Sequence, residues 1–331
     1  MEKDFKIPGY IIQNEIGAGG TSNVYMGIQE KLNRKVAIKI LNSGVLKNRE
    51  ESKRFFREPE IASKLTHPNI VTIFDVGHIS TYHYIIMEYL GESLKDRIHH
   101  AGILPVEETL NIVKQIAGAL DYAHAKGVVH RDIKPANILF RENVTPVVVD
   151  FGLALSADTT LMLTVQGMIM GTLCYMSPEQ CRGERGEQAS DIYSLGVVLF
   201  EMLTGKVPYL SENPFGILHK HQNDPIPTLP AKLNRFQPLI NRMMAKDKTG
   251  RIQDGKQVIE MIDALNVGQI KEDNDHTIFY RPPAAETKSS VIEKKGKKEK
   301  KKWKKHKLMF LLVLSLIAFL TVIIVIITRL K

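Results

Sequence analysis

The chain has 331 residues, 44% of them hydrophobic, and a formal net charge of +9, enough for a sizeable core in one large lobe or two coupled ones. The basicity is local: residues 294–331 carry eleven Lys, one Arg and one Glu, a net of +11, and the other 293 residues sum to −2. That excludes a basic nucleic-acid-binding domain. Cys174 and Cys181 form no CxxC pair and no HExxH occurs, which excludes a disulfide framework and the usual zinc spacings and points to a reducing compartment. His219 and His221, in a polar stretch, are expected at the surface.

Residues 10–90 read mostly as strands. "GYIIQNEIG", "SNVYMGIQE", "KVAIKIL", "NIVTIFDVG" and "YHYIIMEYL" are β-branched and aromatic, with turn signals between them. One helical stretch, "ESKRFFREPEIASKL", interrupts them. Residues 106–265 read mostly as helices. "VEETLNIVKQIAGALDYAHAKG" puts Leu110, Val113, Ala117, Leu120 and His124 on one stripe and stops at Gly127. "DIYSLGVVLFEML" is apolar nearly all round and predicts a buried helix. Strands first and helices second predict an α+β fold, a small sheet lobe beside a larger helical one.

"IGAGGTSNVY", residues 16–25, lies between two strand-like runs. Its glycines would let backbone N–H groups approach phosphate oxygens, although a plain hairpin turn fits the stretch equally well. A strand follows it, which excludes a Rossmann site, and no Gly-Lys-Ser/Thr is present. "VAIK" sets Lys39 inside an apolar strand, where it needs a carboxylate. Glu58 is the expected partner, and Glu60 the alternative because Pro59 disturbs a helix there.

"HRDIKPANILF" follows a helix, and "DFG" begins at Asp150. Asp132 could take a proton from an attacking hydroxyl. Lys134 could meet charge on a transferring phosphoryl group. Asn137 and Asp150 offer hard oxygen ligands suited to Mg²⁺, with Mn²⁺ as the alternative. Arg131 could pair with an added phosphate. Charge neutralisation, positioning and one orienting carboxylate are what phosphoryl transfer needs.

With these motifs the chain, over about residues 10–265, resembles the eukaryotic-type (Hanks-type) Ser/Thr protein kinases. "GAGGTSNVY" and "GTLCYMSPEQ" bring it nearest to their bacterial membrane-bound branch. The resemblance implies a bilobal kinase domain at 10–265, with an N-lobe of about 10–90 and a C-lobe of about 91–265. It implies an ATP site formed by Ile16, Gly17, Ala18, Gly19, Gly20, Thr21, Ser22, Asn23 and Val24 over the phosphates and adenine. Ala37 and Leu139 would enclose adenine, and Lys39 would hold the α/β-phosphates and pair with Glu58. Met87 looks like the gatekeeper, and the backbone of residues 88–90, from Glu88 to Leu90, like the adenine-binding hinge. Asp132 would be the catalytic base, Lys134 the γ-phosphate contact, and Asn137 and Asp150 the metal ligands. Glu179 of "SPE" and Arg251 resemble a buried pair, and Asp191 a brace for the catalytic loop. Ser22 stands where the third glycine is usual, and the short "YLGESL" leaves the ribose contact unassigned. Lys134 and Thr172 imply Ser/Thr hydroxyls of proteins as acceptors. The activation segment holds Ser156, Thr159, Thr160, Thr164 and Thr172. A phosphate on Thr164 would dock on Arg131 and order the loop; the alternative is that these are plain polar loop residues.

Residues 266–293 turn polar and contain a Pro pair, a flexible linker. Residues 294–307, "KKGKKEKKKWKKHK", hold ten Lys. Residues 308–328, "LMFLLVLSLIAFLTVIIVIIT", carry no charge and would make a helix about 32 Å long, a membrane span. The Lys run marks the cytoplasmic flank and would attract anionic headgroups at roughly 1 kcal/mol per residue. The expectation is a single-pass membrane protein with a cytoplasmic kinase domain and its C-terminus just reaching the far side. A homodimer through the span or the small lobe is a further expectation, although the span holds no GxxxG.

Overall fold

The computed structural model describes residues 6–19, 22–41, 63–80, 82–151 and 170–267. The predicted helix at 51–65 lies almost wholly outside them; so does the linker expected at 266–293, apart from residues 266 and 267, which are helical, and the Lys run and span at 294–331 lie wholly outside. Among the described residues no helix is long and apolar enough to cross a membrane.

Among the described residues of the first lobe are five antiparallel strands, β1 (Tyr10–Ala18), β2 (Ser22–Gln29), β3 (Arg34–Leu41), β4 (Ile73–Ile79) and β5 (Tyr82–Glu88), in the order β1-β2-β3-β5-β4. Period-2 alternation sorts them onto two faces. Val36, Ile38, Ile40, Tyr25 and Ile86 fill one side with Ile7. Ala37, Leu41, Ile85 and Met87 fill the other, joined by Val24. Val24 and Ile85 stand opposite Lys39 in the two ladders, so Lys39 belongs to this second face.

β4 starts at Ile73, later than the apolar run from Asn69 suggests. Residues 69–71 attach elsewhere. The Val71 N–H donates to the Val148 carbonyl (3.0 Å), and the Val148 N–H to the Asn69 carbonyl (2.9 Å). The carbonyl of Pro146 also accepts from Asn69 Nδ2 (2.7 Å). The start of the expected strand thus ties the sheet to a ribbon of the second lobe, β6 (Ile138–Arg141) and β7 (Thr145–Val148).

The second lobe is helical: α1 (Leu94–Ala101), α2 (Val106–Ala125), α3 (Met170–Leu173), α4 (Pro178–Cys181), α5 (Gln188–Thr204), α6 (Pro214–Asn223), α7 (Gln237–Met243) and α8 (Gly255–Val267). The predicted stripe of α2 is buried from Leu110 to His124. α5 is buried on all sides from Ala189 to Phe200 and ends at Gly205 in the left-handed region (φ 72°). α8 meets α2 at Gly255, where a Cβ would lie 1.9 Å from the Ala117 carbonyl oxygen; only glycine permits that approach.

His221 corrects the surface expectation. Both histidines lie on α6, whose core face sequence polarity conceals. His219 stays exposed, but His221 is fully buried, with Nδ1 2.9 Å from the Tyr193 hydroxyl and its ring edge-on to Tyr209 at 4.9 Å. Burial, aided by the Lys246 charge, lowers its pKa from 6.5 to about 3. The folded ring is therefore neutral where the unfolded one is protonated, so stability falls as pH drops from 6.5 towards 3. At no more than about 1.4 kcal/mol per pH unit, roughly 2 kcal/mol should be lost between pH 6.5 and 5. Urea titrations at the two pH values test this: His221→Asn should flatten the dependence, and an unchanged slope would assign it elsewhere.

Candidate active site

β3, the loop before β6 and the second residue after β7 converge on one polar cluster. Lys39 Nζ lies 2.7 Å from Asp150 Oδ1, with side chains 13% and 28% exposed. Burial alone would raise the Asp150 pKa; Lys39, as charge and donor, then His130 and Lys134, overcome it and leave the carboxyl below its ordinary value. Asp150 is thus an anion facing the sheet lobe.

The loop from His130 to Asn137 is held from beneath. Asp191, 1% exposed on α5, accepts the backbone N–H of His130 on Oδ2 (2.8 Å) and of Arg131 on Oδ1 (2.7 Å). His124 Nε2 lies 2.8 Å from Asp191 Oδ2. These bonds offset strain at Arg131 (φ 67°), a non-glycine residue in the left-handed region, as is Asp150 (φ 63°). His130 is fully buried. Its Nδ1 faces the Asp132 N–H at 3.2 Å and its Nε2 the Val149 carbonyl at 2.8 Å. The ring thus ties the loop to the residue preceding Asp150. Phe151 packs edge-on against it, centroids 4.8 Å apart.

Above this base Asp132 Oδ2 accepts from Lys134 Nζ (2.7 Å) and Asn137 Nδ2 (3.0 Å). Asn137 Nδ2 also donates to the Asp132 carbonyl (2.8 Å). Its Oδ1 is the amide atom left with lone pairs for a cation. Lys134 Nζ donates to Thr172 Oγ1 at 2.9 Å. Arg131 Nε donates to the Gly186 carbonyl at 3.0 Å.

Of the other predicted positions, Ala37, Met87 and Leu90 join one apolar cluster, with Val24 and Leu139 packed on it. Gly19 and Ser22 are closed by a 2.8 Å bond from the Gly19 N–H to the Ser22 carbonyl. Ile16 is exposed, and Gly17, Ala18 and Asn23 lie on β1 and β2. Glu58, Glu60, Gly20, Thr21 and Thr164 lie outside the described residues. Among the described residues Lys39 bonds Asp150.

Sequence reasoning missed three supports. His124 was placed on a buried stripe, but a histidine there signals a polar partner. Gln180, which follows "SPE", donates through Nε2 to the Arg131 carbonyl (2.9 Å). Arg141, at the end of β6, grips Glu88; neither sequence spacing nor composition marks that pair.

The model of the protein kinase domain matches residues 10–262. A probable serine/threonine-protein kinase of Clostridium acetobutylicum is 36% identical over 292 residues, 86% of this chain and 44% of that protein. One of Clostridium perfringens is 40% identical over 270 residues, 80% of this chain and 38% of that protein. Serine/threonine-protein kinase PrkC of Bacillus subtilis is 41% identical over 249 residues, 74% of this chain and 38% of that protein. The chain thus spans less than half the length of these relatives. Its two lobes, its cluster of Lys39, Asp132, Asn137 and Asp150, and these matches place the chain in the protein kinase family, among the eukaryotic-type serine/threonine kinases.

Proposed function

We propose that the chain is a membrane-anchored Ser/Thr protein kinase that transfers the γ-phosphate of ATP to Ser or Thr hydroxyls of proteins. One observation carries the reading: Lys39 of the sheet lobe meets Asp150 of the helical lobe at 2.7 Å, beside Asp132, Lys134 and Asn137. The donor set fits a hard divalent ion, since an ionised Asp150 and the Asn137 amide oxygen are oxygen ligands. Mg²⁺ held there would neutralise phosphate charge and align the β- and γ-phosphates. Lys39 neutralises the α/β-phosphates. Asp132 orients the acceptor hydroxyl and takes its proton. Lys134 reaches the γ-phosphate from beside Asp132. The apolar cluster of Val24, Ala37, Met87, Leu90 and Leu139 excludes water from adenine. Thr164 is the site of an ordering autophosphorylation that engages Arg131.

The residues of the polar cluster support this reading over a pseudokinase scaffold, because Lys39, Asp132 and Asp150 are all present. The uncharged run at 308–328 behind ten Lys supports anchoring, with the kinase domain on the cytoplasmic side and anionic lipid at the Lys run. Incubation with Mg-ATP should label Ser/Thr of casein in wild type and not in Lys39→Met. Labelling of an aminoglycoside but not of casein would overturn the protein-kinase reading. Loss of membrane pelleting on deleting 308–331 tests the anchor.

A further inference from the structure

Arg141 closes β6, outside the polar cluster. It forms a two-pronged pair with Glu88: Nε to Oε1 at 2.5 Å and Nη2 to Oε2 at 2.8 Å. Its third prong, Nη1, donates to the Pro68 carbonyl at 2.6 Å. The side chains are 31% and 20% exposed. Glu88 ends β5, and its N–H donates to the Thr72 carbonyl at 2.9 Å. Two residues on, Leu90 and Leu139 of β6 meet in the apolar cluster with Ala37 and Met87. Arg141 thus joins three segments at once: the end of β5 through the Glu88 carboxylate, the 68–71 connection through the Pro68 carbonyl, and its own β6–β7 ribbon. A guanidinium fork fixes both position and rotation of the carboxylate it grips, which a lysine ammonium does not.

We propose that Arg141 is a positioning residue for nucleotide binding: by holding Glu88 against the ribbon it sets the backbone of residues 88–90 and the floor at Leu139 in one register. This rests on the reading of residues 88–90 as the adenine hinge. Arg141 touches none of Asp132, Lys134, Asn137 or Asp150 in the hydrogen bonds it makes, so its effect belongs to nucleotide affinity and not to the transfer step.

The test is steady-state kinetics on the full chain, with ATP and casein varied separately. Arg141→Gln should raise KM for ATP about tenfold, leave kcat within twofold and leave KM for casein unchanged. Glu88→Gln should do the same, and the double variant should be no worse than either single one. Arg141→Lys, which keeps charge and stem, should recover only part of the affinity and guards against a Gln variant that fails to fold. An unchanged KM for ATP, additive effects of the two substitutions, or a lowered kcat with KM unchanged would overturn the proposal. Ala37→Phe separates it from the reading beneath. If Ala37→Phe abolishes ATP binding while Arg141→Gln leaves it intact, only the role of Arg141 fails. If Ala37→Phe binds ATP normally, the adenine cleft is misplaced.

Discussion

Asp150→Ala is expected to lower phosphate transfer by about a hundredfold to a thousandfold, a loss typical of removing a main electrostatic contributor to a transition state. Asp150 is kept ionised because Lys39 bonds it directly, so the wild-type cluster offers an anion at the point where the two lobes meet. Alanine removes that anion and leaves the Lys39 ammonium, 13% exposed, without the carboxylate it bonds. The fold should persist, since Val147, Val148 and Val149 bury the preceding strand independently and the pair itself is partly hydrated. Steady-state transfer to casein across a Mg²⁺ titration, with circular dichroism of both proteins, checks it. Near-wild-type turnover in Asp150→Ala would sink the metal assignment, whereas loss of the circular dichroism signal would mean that Asp150 supports the fold.

The sequence displayed what rests on local chemistry. Alternation gave the strands their faces, and the 3.6-residue stripe of α2 matched its buried side because a helix shows one face to the core whatever it packs against. The polar loop at 130–137 was legible since four chemically distinct groups sit too close together for a solvated turn. What stayed hidden depends on residues far apart in the chain. Lys39 meets Asp150 across 111 positions, a separation that no local pattern spans. The apolar run at 69–71 looked like the start of a strand and instead bonds to β7, because β propensity does not say which sheet a residue joins. His221 sits among polar neighbours, yet the fold turns that face of α6 inward.

The second large effect belongs to a pair that the kinase resemblance implied, Glu179 and Arg251. Arg251→Met should destabilise the domain by about 3–5 kcal/mol at pH 7, the usual result of leaving one member of a buried ion pair alone. Arg251 donates from Nη1 to Glu179 Oε1 (2.7 Å) and from Nη2 to Oε2 (3.0 Å), with both side chains almost wholly buried. It also donates to the Ala245 and Ala189 carbonyls, while Ser190 supplies a further donor to Glu179. Burial by itself would raise the Glu179 pKa; the Arg251 bonds and charge, then Ser190, reverse this and hold it at about 2, down from 4.5. A lowered carboxyl contributes stability above pH 4.5 that is lost as pH falls towards 2, about 3 kcal/mol in all. Without the cation, Glu179 in the variant must protonate at higher pH, which relieves the buried charge. The gap between wild type and variant should therefore be widest at pH 7 and shrink by pH 4. Adding Glu179→Leu to Arg251→Met should recover most of the loss, since an apolar pair of similar volume can replace a buried ion pair. Urea midpoints at pH 7 and 4 decide the matter: a gap that stays constant or grows on acidification would show that Glu179 is not the charge that Arg251 compensates.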